Sequence, residues 1–146
     1  MNPFSTNTPV SDLRDLIGRE NYISMIEAET TRRRTTHLAI FGVKGSGKTS
    51  LLNTYFDFMK IQELSRDRKL LFVNTPLPKH LKGDRIYQYL LDAVKDAIEL
   101  IADAQIKDMI KQRIADTHYE TLERRLRSEL LLVKQCRYNV VLLIDD

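Results

Sequence analysis

The sequence predicts an α/β fold in which a parallel sheet lies between layers of helices. Three apolar runs, at residues 37–41, 69–74 and 139–144, are short enough for strands. Between them, apolar residues recur three or four positions apart, which is the spacing of a helix face. Strands that alternate with helices favour parallel pairing, and continuous apolar runs such as 140–144 predict strands buried on both faces.

The first part of the chain divides at Gly18. Residues 1–17 are rich in Ser, Thr, Asn and Pro and are predicted to form an extended N-terminal segment. A short amphipathic helix is predicted from Gly18 to about Thr31. The run 37–41 then predicts a buried strand that ends at Gly42. A glycine-rich turn follows directly, and the next helix begins within residues 47–50.

The second part of the chain begins with the strand predicted at 69–74. Two prolines within residues 75–78 should stop it, because proline cannot continue a strand in the middle of a sheet. Residues 75–138 are too many for one simple crossover, and their apolar spacing predicts an insertion of two or three helices. The third strand, at 139–144, ends in Asp145-Asp146.

Composition narrows the functional classes. Lys and Arg total 23 against 20 Asp and Glu, a net charge of +3, so no general field for nucleic acid is implied. The cluster Arg32–Arg34 leaves two interpretations open, a solvated helix end or a contact with nucleic acid. No apolar run approaches the roughly 20 residues of a membrane helix, and the N-terminus lacks the pattern of a secretory signal. A cytoplasmic protein with no membrane partner is expected.

Residues 42–49, Gly-Val-Lys-Gly-Ser-Gly-Lys-Thr, match the phosphate-binding pattern G-x-x-x-x-G-K-[ST] between a predicted strand and a predicted helix. The glycines allow a sharp turn, so that backbone amides converge on the α- and β-phosphates. Lys48 can reach the β- and γ-phosphates, and the Thr49 hydroxyl can bind Mg²⁺. The predicted cofactors are therefore a nucleoside triphosphate and Mg²⁺, and the base stays open here because backbone amides contact only the phosphates. The predicted nucleotide-binding residues of this segment are Gly42, Lys44, Gly45, Ser46, Gly47, Lys48, Thr49 and Ser50.

The acidic pair after the third strand is predicted to take part in Mg²⁺ binding and in hydrolysis. An apolar strand that delivers a carboxylate to the sheet edge can hold the Mg²⁺ water shell, a role we expect for Asp145. Asp146 could orient or deprotonate the attacking water, although a purely structural role for it stays open. The predicted metal ligands are thus Thr49 and Asp145, and the predicted catalytic residues are Lys48 and Asp146.

These motifs resemble the Walker A and Walker B motifs of the AAA+ and STAND ATPases. Residues 17–20, Ile-Gly-Arg-Glu, are similar to the element that precedes the P-loop in STAND-type and origin-initiator-type members. That resemblance implies that Ile17, Gly18 and Arg19 lie near the nucleotide base, while an ordinary helix start remains the alternative. The Asp-Asp ending resembles STAND proteins more than AAA+ motors, which implies slow hydrolysis and a switch.

The resemblance implies a three-layer P-loop NTPase fold in which residues 18–146 are the N-terminal part of an ATPase domain that ends at the Walker B strand. Sensor, arginine finger, lid and self-oligomer contacts would then lie in later regions, and the 146 residues alone are expected to be poorly stable. The expected function is an ATP- and Mg²⁺-binding regulatory ATPase. The alternative is a DNA-binding initiator or transposition-type AAA+ ATPase, which is supported by Arg32–Arg34 and by the initiator-like element Gly18-Arg19-Glu20. The Asp-Asp strand argues against a P-loop kinase or a small GTPase.

Overall fold

A computed structural model describes residues 18–30, 38–66 and 69–145. The chain forms two compact units, Met1–Asp67 and Arg68–Asp146, each of which is described by itself. The extended segment predicted at 1–17 and the cluster Arg32–Arg34 lie outside the described residues.

In its described residues the first unit contains two helices, α1 (Glu20–Thr30) and α2 (Lys48–Arg66). Helix α2 begins within the predicted residues 47–50, and α1 begins two residues after the predicted Gly18. Helix α1 buries Ile23 and Ile26 on one face. Helix α2 buries Leu51, Tyr55 and Met59, whose spacing of four places them on one face. The hydroxyl groups of Thr30 and Tyr55 form a hydrogen bond, which joins the end of α1 to the middle of α2.

The prediction of a strand at residues 37–41 is wrong over the residues that the structure describes. His37 lies outside them, and residues 38–43 have no regular secondary structure. The Phe41 side chain is 90% exposed and that of Leu38 is 48% exposed. A strand needs a neighbour that accepts and donates its backbone hydrogen bonds, and the sheet in the described part of the chain has only the two strands of the second unit. An apolar run is therefore not sufficient for a strand here.

The second unit contains a parallel pair of strands, β1 (Leu70–Pro76) and β2 (Asn139–Asp145). The parallel pairing is confirmed, with Leu70 in register with Asn139. This combination of helices with a small parallel sheet is compatible with the predicted α/β class. Strand β1 extends beyond the predicted end at residue 74, and its last residue is Pro76. The amide of Leu77 then donates to the Asp145 carbonyl oxygen at 2.7 Å, which continues the pairing with β2. A proline at the end of a strand breaks no interior hydrogen bond.

Three helices connect the two strands, which confirms the predicted helical insertion. The side chain of Asp103 accepts a hydrogen bond from the Ile106 amide at the start of the second of them. Thr121 does the same for the Arg124 amide at the start of the third. Such capping satisfies amide groups that have no partner inside the helix. The three helices are α3 (Asp84–Glu99), α4 (Ala104–Ala115) and α5 (Leu122–Gln135).

The core of the second unit lies between one face of the sheet and the helices α3, α4 and α5. Its centre is formed by residues such as Val94 and Val133, which have no exposed surface. The apolar residues of these helices recur at helical spacing and pack into the core, as the sequence predicts. The buried members of this core are Leu71, Val73, Val94, Ala97, Ile98, Ile101, Ile110, Val133 and Tyr138.

The prediction that the apolar run 140–144 is buried on both faces is wrong. Val141 and Leu143 are buried, whereas Leu142 and Ile144 are 38% and 47% exposed. The strand register places Leu142 and Ile144 on the same face as Val140, which packs against the helical core. The core therefore covers this face at the start of β2 and not at its end. None of the helices in the described ranges has the length and apolar character that a membrane span requires.

Candidate phosphate-binding site

The loop that precedes α2 has the local geometry that its glycines predict. Gly45 and Gly47 have φ angles of 82° and 80°, in the left-handed region that glycine adopts without steric cost. The Ser46 amide donates to the Val43 carbonyl oxygen at 3.1 Å, and this hydrogen bond closes a tight turn. The Leu51 amide then donates to the Gly47 carbonyl oxygen at 2.9 Å as the helix begins. The chain thus changes from a left-handed turn to a helix within a few residues.

This turn leaves a group of backbone amides available to a ligand. Among the described residues, no acceptor is found for the amides of Gly45, Gly47, Lys48 and Thr49. The last two belong to the first turn of α2, where amides have no partner within the helix. Free amides at a helix N-terminus, together with the positive end of the helix dipole, form an anion site.

The side chain of Lys48 folds back over the loop. Its ammonium group donates to the carbonyl oxygens of Gly42 at 3.0 Å and Val43 at 3.2 Å. An ammonium group has three donors, so one remains for a ligand. These two hydrogen bonds hold the positive charge at the mouth of the turn, where the sequence analysis expects the β- and γ-phosphates.

Arg19 also reaches this loop, although 27 residues separate it from its partner. Its Nη2 donates to the Ser46 carbonyl oxygen at 2.6 Å. Its guanidinium group also lies 5.5 Å from the centre of the Tyr22 ring, a cation–π distance. Most of the five guanidinium donors stay available to an anion. The structure therefore brings the predicted residue Arg19 to the phosphate loop, through a contact that no local sequence signal specifies.

The other two residues of the predicted base-binding element are Gly18 and Ile17. Gly18 precedes α1 with a φ angle of 76°, which suits the turn that starts this helix. Ile17 lies outside the described residues.

Thr49 and Ser50 lie in the first turn of α2 and are half-buried. Lys44 is exposed in the turn.

The predicted acidic residues belong to the second compact unit. Asp145 is the last residue of β2 and is half-buried, while Asp146 lies outside the described residues. The register places Asn74 on the same face of the sheet as Asp145, near the same edge. Asn74 is exposed, and its side-chain oxygen is of the type that binds Mg²⁺. The sequence analysis did not assign this residue to the site. Within the described residues, no group of three or more His, Cys, Asp or Glu side chains could hold a metal ion.

No family model, curated protein or solved structure matches this chain. The interpretation of the site therefore depends on its own residues and their geometry.

Proposed function

We propose that this chain binds ATP with Mg²⁺ and is a regulatory ATPase whose nucleotide state controls a larger protein. The observation that supports this proposal best is the loop at residues 42–49. It combines a left-handed turn, free amides at the start of α2 and the Lys48 ammonium group at its mouth. The proposed fold is the three-layer P-loop NTPase fold.

The loop offers phosphate oxygens two kinds of hydrogen-bond donor. The amides of Gly45, Gly47 and Lys48 are fixed by the turn, so little conformational entropy is lost when they bind. Lys48 and Arg19 add formal positive charges. A hydrogen bond to a charged group contributes roughly 1.5–3 kcal/mol. Even with heavy discounting for non-additivity, several such bonds are enough for micromolar affinity, about 8 kcal/mol.

The residues present fit Mg²⁺, which prefers oxygen ligands and keeps part of its water shell. The Thr49 hydroxyl lies in the first turn of α2, and Asp145 supplies a carboxylate at the end of β2. When bound, the ion would neutralise charge that develops on the phosphates. In the same proposal Asp146 positions the attacking water, and hydrolysis is slow. Loss of the γ-phosphate then shifts the population between two conformations of the larger protein.

Replacement of Lys48 by alanine tests nucleotide binding. The Lys48→Ala variant should lose ATP affinity by about a hundredfold or more, because it removes the ammonium group at the mouth of the loop. Calorimetric titration with ATP and Mg²⁺ measures this change. Lys60→Ala, at an exposed lysine on the same helix, is the matched control and should bind normally. Unchanged ATP affinity in Lys48→Ala would contradict the proposal.

The alternative proposal, a DNA-binding initiator or transposition-type ATPase, depends on Arg32–Arg34 and on the initiator-like element Gly18-Arg19-Glu20. Arg32–Arg34 lie outside the described residues, so the geometry adds nothing in favour of DNA binding by them.

A further inference from the structure

A groove in the second unit is lined by none of the residues assigned to nucleotide binding. It has a volume of about 620 Å³ and is lined by α3, α4, α5 and the segment between α4 and α5. Pockets for small ligands commonly measure about 300–1,000 Å³. The groove is therefore large enough for a small organic molecule.

The lining of the groove includes an apolar surface. Leu91 and Ile98, on α3, contribute side chains that are 3% and 2% exposed. Ile114 and Leu122 add half-buried apolar side chains from α4 and α5. An apolar part of a ligand could displace water from this surface, which is favourable in proportion to the area covered.

A buried carboxylate also lines the groove. Glu129, on α5, is only 3% exposed. Its Oε1 accepts a hydrogen bond from Arg125 Nε at 2.8 Å, and Arg125 is its only partner among the described residues. The second oxygen, Oε2, therefore has unused acceptor capacity. Oε2 is not among the fully buried side-chain oxygens that lack a partner in the described residues, so it keeps some contact with solvent, and a hydrogen-bond donor of a ligand can reach it.

The other ionic groups of the lining are largely paired with one another. Lys111 and Glu99 form an ion pair at 2.6 Å, and the hydrogen bond between them lowers the pKa of Glu99 and raises that of Lys111. Asp92 accepts a hydrogen bond from the Gln88 amide group at 3.0 Å. Glu99 and Asp92 are exposed, so water competes for their remaining oxygens, whereas Glu129 is only 3% exposed.

Further charged and aromatic groups lie at the rim of the groove. Lys95, His118 and Glu120 are exposed there, where water screens the charges of Lys95 and Glu120. Glu120 is also paired with Arg124. Tyr119 is half-buried in the lining and has a ring face that attracts cations.

We propose that this groove binds a small organic cation, an ammonium or guanidinium group attached to an apolar body. The cationic group donates to Oε2 of Glu129 while Arg125 keeps Oε1. The apolar body lies on Leu91, Ile98 and Leu122. This site is independent of the proposed nucleotide site, so either one could fail its test without affecting the other.

The test compares three probes of the same chain length by NMR titration of the full 146-residue chain. Hexylammonium should shift the amide signals of residues 125–129 in a saturable way. Hexanol and hexanoate should bind at least about tenfold more weakly, because neither carries a cation for Glu129. Equal affinity for hexylammonium and hexanol would overturn the proposal.

Matched variants assign any binding to the groove. Glu129→Gln should remove the preference for hexylammonium over hexanol, whereas Glu123→Gln, at an exposed position of α5 outside the lining, should keep it. Preference retained in Glu129→Gln would overturn the proposal. If that variant fails to fold, Ala115→Trp decides, because it places a large side chain in the groove from an exposed position. Hexylammonium binding that survives Ala115→Trp would also overturn it.

Discussion

At the scale of single residues, the contact between Arg19 and the Ser46 carbonyl oxygen has the clearest consequence for binding. A guanidinium group held at 2.6 Å from that oxygen carries a permanent positive charge beside the free amides of the loop. The same group lies over the Tyr22 ring, which restricts its orientation. Arg19 is therefore positioned to strengthen the binding of an anion by the loop.

Replacement of Arg19 by alanine measures this contribution. Arg19→Ala should lower the ATP affinity of the chain by about tenfold, the effect of one partly solvated charge-assisted hydrogen bond. Titration with ATP and Mg²⁺ at fixed ionic strength measures it. Arg113→Ala, which removes an exposed arginine from α4, is the control for net charge. If the ATP affinity of Arg19→Ala equals that of the Arg113→Ala control, Arg19 contacts the loop without contributing to ATP binding.

At the scale of elements, two of the three helices between the strands begin at side-chain caps. Asp103 starts α4 and Thr121 starts α5, each by accepting a hydrogen bond from an amide three residues later. The cap at Thr121 matters more for the core, because α5 packs against α3 and β2 as well as against α4. A shift at the start of α5 would also move Glu129, which lies two turns further along the same helix.

Removal of the cap at Thr121 should therefore destabilise the second unit. Thr121→Ala is expected to lower the free energy of unfolding by about 1 kcal/mol, the typical value of such a cap. Thr121→Asn, which can accept the same hydrogen bond, should retain most of the stability. Urea denaturation followed by circular dichroism compares the three proteins. Equal loss of stability in both variants would show that Thr121 acts through packing and not through the cap.

At the scale of the whole molecule, exposed apolar side chains next to the phosphate loop affect solution behaviour. Phe41 is 90% exposed and Val43 is 79% exposed, and Leu38 adds a third large apolar side chain in the same segment. Isolated exposed apolar residues are ordinary, but several in one short segment favour association between molecules. We therefore expect this segment to promote association between molecules.

The substitution Phe41→Ser tests the contribution of this segment to association. The variant should bind less of a hydrophobic dye and scatter less light on concentration than the original chain, because the most exposed apolar ring is removed. Leu131→Ser, at a 54%-exposed position on α5, is the control for a scattered apolar residue and should have little effect. A reversible, cooperative thermal transition of the original chain, without scattering, would contradict the expectation.

Helices and turns were the most predictable features. The start of α2 and the three helices between the strands follow from apolar spacing, which local helix geometry imposes. The positive φ angles at Gly45 and Gly47 follow from the pattern of glycines. The boundary of β1 was less predictable, because the pairing of Pro76 with Asp145 on the neighbouring strand decides it.

The sequence by itself determined which segments favour helices, which residues can turn sharply and which side chains could bind phosphate. These are properties of a residue and its near neighbours in the chain, so periodicity and backbone sterics were sufficient to predict them. Tertiary structure decided that residues 38–41 form no strand, that Arg19 reaches Ser46 and that Glu129 is buried. Each of these outcomes depends on whether a distant segment supplies a hydrogen-bond partner or covers a surface, and no local pattern encodes that.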